Sequence, residues 1–167
     1  MARIRVTRAA EIFFGRTIKV SVAAVTILLA TALALPSPAY AAGTPWTVTA
    51  SSGSTKLAQA KGDFANNGGV YATAGINYTD LRNNGRGVYV QVDWWFYRSP
   101  APGLPKGWVQ ENASQTSRTQ TATWATASLS KQLRGDAQQV KAQIKVCEDV
   151  PNRGDICSPP ANVSFSY

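Results

Sequence analysis

The chain contains no histidine, which removes the usual general base for activating a serine or cysteine nucleophile and the commonest protein ligand of zinc. Cysteine is nearly as scarce. Cys147 and Cys157 are the only two, and ten residues apart they lack the close Cys-x-x-Cys spacing of a redox-active pair. No run of Lys or Arg occurs, so a nucleic-acid partner is not expected. Turn carboxylates are present without the ligand spacing of a calcium loop, and no nucleotide or cofactor motif is found, so no metal or cofactor is expected. Long apolar runs are limited to residues 20–35, and beyond residue 41 no window carries an apolar stripe at helical spacing.

That single apolar run belongs to a leader. It is preceded by a basic stretch with Arg3, Arg5, Arg8, Arg16 and Lys19, and followed by Pro36-Ser37-Pro38-Ala39-Tyr40-Ala41. Basic, apolar and small-residue segments in that order form a secretory signal, with cleavage expected between Ala41 and Ala42. The run is shorter than the roughly twenty residues that cross a bilayer, so release rather than anchoring is expected. No cysteine stands at the cleavage point to take a lipid. Removing residues 1–41 takes away five of the 17 cations and one of the 9 acids, so the formal charge falls from +8 to +4. Residues 42–167 then form one secreted domain, large enough for a hydrophobic core.

Period-two alternation dominates this remainder. Val88, Val90, Val92, Trp94 and Phe96 alternate with Tyr89, Gln91, Asp93, Trp95 and Tyr97, which describes a strand with one buried side. Residues 70–79 alternate in the same way, and Asn83-Asn84-Gly85 between the two stretches predicts a hairpin joining them. Residues 140–147 and 162–167 read as strands too. The Thr-rich stretch 117–130 around Trp124 favours strand through its β-branched residues, and weaker strands are expected at 46–50 and 58–64. About seven short strands with turn signals between them predict an all-β, antiparallel β-sandwich. Residues 99–106, with Pro100, Pro102, Gly103 and Pro105, form a stiffened exposed loop.

In an exported chain an even cysteine count predicts pairing, here one Cys147–Cys157 disulfide near the C-terminus. Closing a loop of about ten residues stabilises by about 2.5 to 3 kcal/mol in the chain-entropy treatment. The order of leader, alternating strand, Asn-Gly turn, Val88-Tyr89-Val90 and Ile144-Lys145-Val146-Cys147 before a second cysteine resembles small secreted proteins of actinobacteria that have no assigned function. That resemblance implies a β-sandwich with a C-terminal disulfide, and it transfers no functional residue.

Function is sought on the outward side of the strand at 88–97. There Tyr89, Trp95 and Tyr97 share one face with Gln91 and Asp93, a set that suits sugars: C–H faces pack on rings while hydroxyls bond the polar neighbours. A non-enzymatic binding domain for an extracellular polysaccharide or envelope polymer is therefore expected. The alternative is a secreted protein–protein interaction module, inhibitor-like or toxin-like, that acts through the 99–106 loop or the disulfide loop. Trp46, Trp108 and Trp124 are expected in core or rim packing. Asp63, Asp80, Asp93, Glu111, Asp136, Glu148, Asp149 and Asp155 are the carboxylates from which a glycosidase pair would have to come. Most of them fall at turns, and no catalytic residue is assigned. Two Arg-Gly-Asp tripeptides, at 134–136 and 153–155, read as reversals between strands. The sequons at Asn77, Asn112 and Asn162 are unremarkable in a Ser/Thr-rich chain.

Overall fold

The computed structural model describes residues 43–167; the predicted leader and its cleavage point lie outside the described residues. Among the described residues there are ten strands and no helix. They are β1 (Thr44–Ser52), β2 (Thr55–Asn67), β3 (Tyr71–Asp80), β4 (Val88–Arg98), β5 (Gly107–Gln110), β6 (Ser114–Gln115), β7 (Ala125–Gln132), β8 (Gln139–Glu148), β9 (Ile156–Cys157) and β10 (Ala161–Ser166). The first sheet runs β1-β2-β3-β7 and the second β10-β8-β4-β5, with β6 also on β4 and β9 on β8. Every pairing is antiparallel. The seven strands visible in the alternation correspond to β1, β2, β3, β4, β7, β8 and β10. The other three are two to four residues long, too short to show a period.

The two sheets pack face to face through unlike surfaces. From the first come Ala50, Ala58, Ala60, Ala72 and Ala74, all fully buried; from the second come Val88, Val90, Val92, Trp94, Phe96, Val140, Ile144 and Val146, equally buried. Small side chains on one layer leave room for large ones on the other, which is how interiors reach crystal-like density. Phe64 is the large residue contributed by β2, and its ring lies 6.3 Å from that of Trp94 and 5.1 Å from that of Phe165. Trp94 is wholly buried, and its indole N–H donates to Ser114 Oγ at 3.0 Å, so burial leaves no polar group unpaired.

One expectation is corrected here. β3 and β4 do not form a hairpin, because they lie in different sheets and residues 81–87 carry the chain across. Both strands alternate because both have an inner side, and alternation says nothing about which strand is the partner. The Asn-Gly signal nonetheless marks a real reversal, with positive φ at Asn83 (47°) and Gly85 (76°). Two buried carboxylates hold this crossing in place. Asp80 Oδ1 accepts the Arg82 and Asn83 N–H groups at 2.8 and 3.2 Å, while Glu148, at the end of β8, accepts from Asn84 Nδ2 at 2.7 Å and Arg86 Nη1 at 3.3 Å.

The 117–130 stretch is also only partly strand, since β7 begins at Ala125. Bonds from the neighbouring strands explain the difference. Thr79 Oγ1 donates to Ala122 O at 2.9 Å, Val90 N–H donates to Thr116 Oγ1 at 3.0 Å, and Thr119 exchanges both backbone bonds with Val88. Bonded to β3 on one side and to β4 on the other, the segment is held as a strap between the sheets rather than in a regular ladder.

Cys147 and Cys157 form the expected disulfide, joining β8 to β9 at directly opposed positions. A bond of this kind fits an oxidising compartment.

Close approach is most severe at Gly62 on β2. A Cβ there would sit 1.8 Å from the Gly75 carbonyl oxygen and 3.0 Å from the Trp46 ring, and the first of these is backbone that cannot turn aside. Gly62→Ala is expected to cost more than about 2 kcal/mol in urea unfolding, whereas Gly107→Ala, with open space at its Cβ, stays within about 0.5 kcal/mol of the parent. Equal midpoints for the two variants would contradict this account of β2–β3 packing.

Candidate functional site

Because Val88, Val90, Val92, Trp94 and Phe96 point inward, Tyr89, Gln91, Asp93, Trp95 and Tyr97 must point to the outer face of the second sheet. Register places their neighbours. Across β4–β8, Tyr89 opposes Cys147, Gln91 opposes Lys145, Asp93 opposes Gln143, and Trp95 opposes Lys141. On the other side Gln91 opposes Gln115, Trp95 opposes Gln110 and Tyr97 opposes Trp108. The five predicted residues thus share one face, but the face has three different regions.

At one end Tyr89 is closed off, with only 4% of its surface exposed. Its hydroxyl donates to Asp155 Oδ2 at 2.5 Å, and the Arg118 guanidinium lies 4.9 Å from the ring centre. Asp155 belongs to the disulfide loop, and its other oxygen accepts the Val150 N–H at 3.2 Å. Tyr89 therefore serves as an anchor for that loop rather than as part of an open binding stripe, which corrects its place in the expected set. Burial, followed by the bond to Asp155 and the negative charge of that group, pushes the Tyr89 phenol up to about 12.

The middle is a polar ladder. Gln115 Nε2 donates to Gln91 Oε1 at 3.0 Å, Gln91 Nε2 donates to Asp93 Oδ1 at 2.7 Å, and Lys145 Nζ stands 3.7 Å from Asp93 Oδ2. Next to it Gln143 Nε2 donates to Asn162 Oδ1 at 3.0 Å. Asp93 is thus engaged with an amide and an ammonium.

The far end is aromatic. Trp108 is exposed (37%) and meets Tyr97 edge-on, with ring centres 5.5 Å apart. Trp95 is half-buried beside them. Lys141 extends across both indoles, its Nζ 4.9 Å from the centre of Trp95 and 4.8 Å from that of Trp108. Sequence reading missed Trp108 and Lys141 as site residues. Lys141 was within reach, because it falls on the outward side of the 140–147 alternation. Trp108 was not, because β5 spans only four residues. Of the other two indoles assigned to core or rim, Trp46 is in the core, and Trp124 is 44% exposed with Lys61 Nζ 4.6 Å from its ring on the opposite side of the sandwich.

Both Arg-Gly-Asp tripeptides are turns whose acids are already occupied. Arg134 Nε donates to Asp136 Oδ1 at 2.9 Å, a bond that lowers the Asp136 carboxyl and raises the guanidinium; Asp155 is taken by Tyr89 and Val150. Glu111 is surrounded by cations, with Arg134 Nη1 at 3.0 Å, Lys131 Nζ at 3.4 Å and Arg98 Nη2 at 3.9 Å. It ties the region just past β5 to β4, to the end of β7 and to the turn beyond it.

The chain matches no protein-family model and no curated protein sequence.

The raised Tyr89 phenol has a signed consequence. The folded state keeps a proton that the unfolded chain releases near the ordinary value of 10, so this contribution is complete below pH 10 and is lost as pH climbs toward about 12. Urea midpoints measured between pH 9 and 12 should therefore fall more steeply for the parent than for Tyr89→Phe. Parallel curves would show that the phenol is not held by the Asp155 loop.

Proposed function

We propose that this chain is an exported, non-enzymatic binding domain that holds an extracellular polysaccharide or envelope polymer on the outer face of its second sheet. The carrying observation is the grouping of exposed Trp108, edge-packed Tyr97 and half-buried Trp95 next to the amides of Gln91, Gln110, Gln115 and Gln143. Rings supply flat apolar area for sugar C–H faces, and side-chain amides offer both donors and acceptors to hydroxyls. The face lies on a sheet stiffened from behind by Trp94 and Phe96, so little ordering is needed when a ligand arrives. Export rests on the tripartite leader together with the disulfide, and the likeness to small secreted actinobacterial proteins belongs to the same reading.

Retention on chitin, cellulose and peptidoglycan tests this with three proteins: the parent, Trp108→Ala, and Trp124→Ala as an exposed indole on the opposite side. The parent and Trp124→Ala are expected to stay bound to at least one polymer, with Trp108→Ala reduced by about tenfold. Equal retention of all three, or loss only in Trp124→Ala, would remove the outer face of the second sheet from consideration.

A second reading is favoured by the 99–106 loop. Ser99 Oγ bridges the carbonyls of Ala101 and Leu104 at 2.5 and 2.7 Å, and Leu104 stands 54% exposed near the tip. A stiff loop displaying one large apolar side chain among prolines is what an inhibitor would present to another protein. Titration against secreted serine and metalloproteases discriminates: stoichiometric loss of protease activity, abolished by Leu104→Asp, supports this reading, and undiminished activity throughout overturns it.

A further inference from the structure

We infer that the polymer held by this face is acidic, a polysaccharide whose sugar rings carry carboxylates, and that Lys141 is the residue that selects it. The inference rests on the proposed glycan-binding role and narrows it to one chemical class.

The argument starts from what surrounds the Lys141 ammonium. Nζ lies between the two indoles, under 5 Å from the centre of each, so attraction to both rings fixes it at the surface of the aromatic patch. Among the described residues no carboxylate lies within ion-pair distance of it. The nearest acid along the face, Asp93, is taken by Lys145 and Gln91, and Arg118 at the other end is paired with Asp149. Lys141 is thus the unpaired cation of this surface. An unpaired ammonium, with the carboxylate of Asp93 already committed, leaves a site that lacks anionic oxygen.

Geometry then separates neutral from acidic sugars. A neutral ring seeking the face of Trp95 or Trp108 must displace the ammonium that lies over both, losing two cation–π contacts. A sugar bearing a carboxylate docks against the ammonium where it stands, with its ring beside exposed Trp108, and adds a charge-assisted hydrogen bond. The same Lys141 that obstructs the first ligand attracts the second.

Polygalacturonate and its fully methyl-esterified form share a backbone and differ in charge, so they separate this inference from the glycan reading beneath it. In affinity electrophoresis at 0.15 M salt, the parent is expected to be retarded at least tenfold more strongly by the acid than by the ester. Lys141→Met, which keeps an apolar stem on the indoles, should lose about tenfold toward the acid and hold or gain toward the ester. Lys141→Arg should recover most of the acid binding. Lys56→Gln, which removes a cation from the first sheet, should change neither. Equal retardation by acid and ester, abolished by Trp108→Ala, would overturn the acidic preference and leave glycan binding intact. Equal losses in Lys141→Met and Lys56→Gln would reduce it to diffuse charge attraction and overturn it too. Retardation by neither polymer, while Trp108 is required for retention on chitin, cellulose or peptidoglycan, would also overturn it. Absence of retention on every polymer would instead remove the glycan reading itself.

Discussion

Five alanines on the inner side of the first sheet, Ala50, Ala58, Ala60, Ala72 and Ala74, create the space into which the second sheet places Trp94 and Phe96. Most other features of the domain follow from that fit. With Trp94 locked between the layers and bonded to Ser114, β4 cannot roll or slip, since a shift of one residue would carry every large side chain to the wrong side. Its outward residues are consequently held as firmly as its inward ones. The outer surface is built from the reverse of a strand whose inner side is wholly buried.

The two ends of the sandwich are closed by charge rather than by apolar packing. At one end Asp80 and Glu148 grip the crossing between the sheets, and at the other Glu111 gathers Arg98, Lys131 and Arg134. Each of these carboxylates accepts from at least two donors, those of Glu148 and Glu111 coming from segments distant in the chain, and such partners are the condition under which a buried or half-buried charge is tolerated. The disulfide loop repeats the pattern with uncharged donors, reaching back so that Asp155 accepts from the Tyr89 hydroxyl and the Val150 N–H. A domain poor in charge thus concentrates many of its ion pairs where loops would otherwise loosen.

How much of this was legible in the residue order depends on whether the signal was local. The side of β4 that faces inward was legible because alternation over ten residues has one physical interpretation. Partner choice was not, and β3 and β4 read as a hairpin because both have an inner side, although these face each other across the core. The strap before β7 was misread because threonine favours strands in general, while here β3 and β4 bond its backbone from two sides. At the site, Gln91, Asp93, Trp95 and Tyr97 were placed on a common face by period alone. Covering of Tyr89 required the loop at 150–156 to fold back, and the addition of Trp108 required a strand of four residues, neither of which leaves a periodic trace.

On the side away from β8, β4 is bordered not by one continuous neighbour but by two fragments, β5 along its later half and β6 along its earlier half, with the Glu111 N–H bonded to Trp94 O where the first of them ends. An uninterrupted border there would offer a row of open amides and carbonyls to a second molecule, with exposed Trp108 adding an adhesive ring. Splitting the border denies a foreign strand any long stretch to zip along. That rim of the second sheet can therefore display its indoles without setting a long open edge beside them.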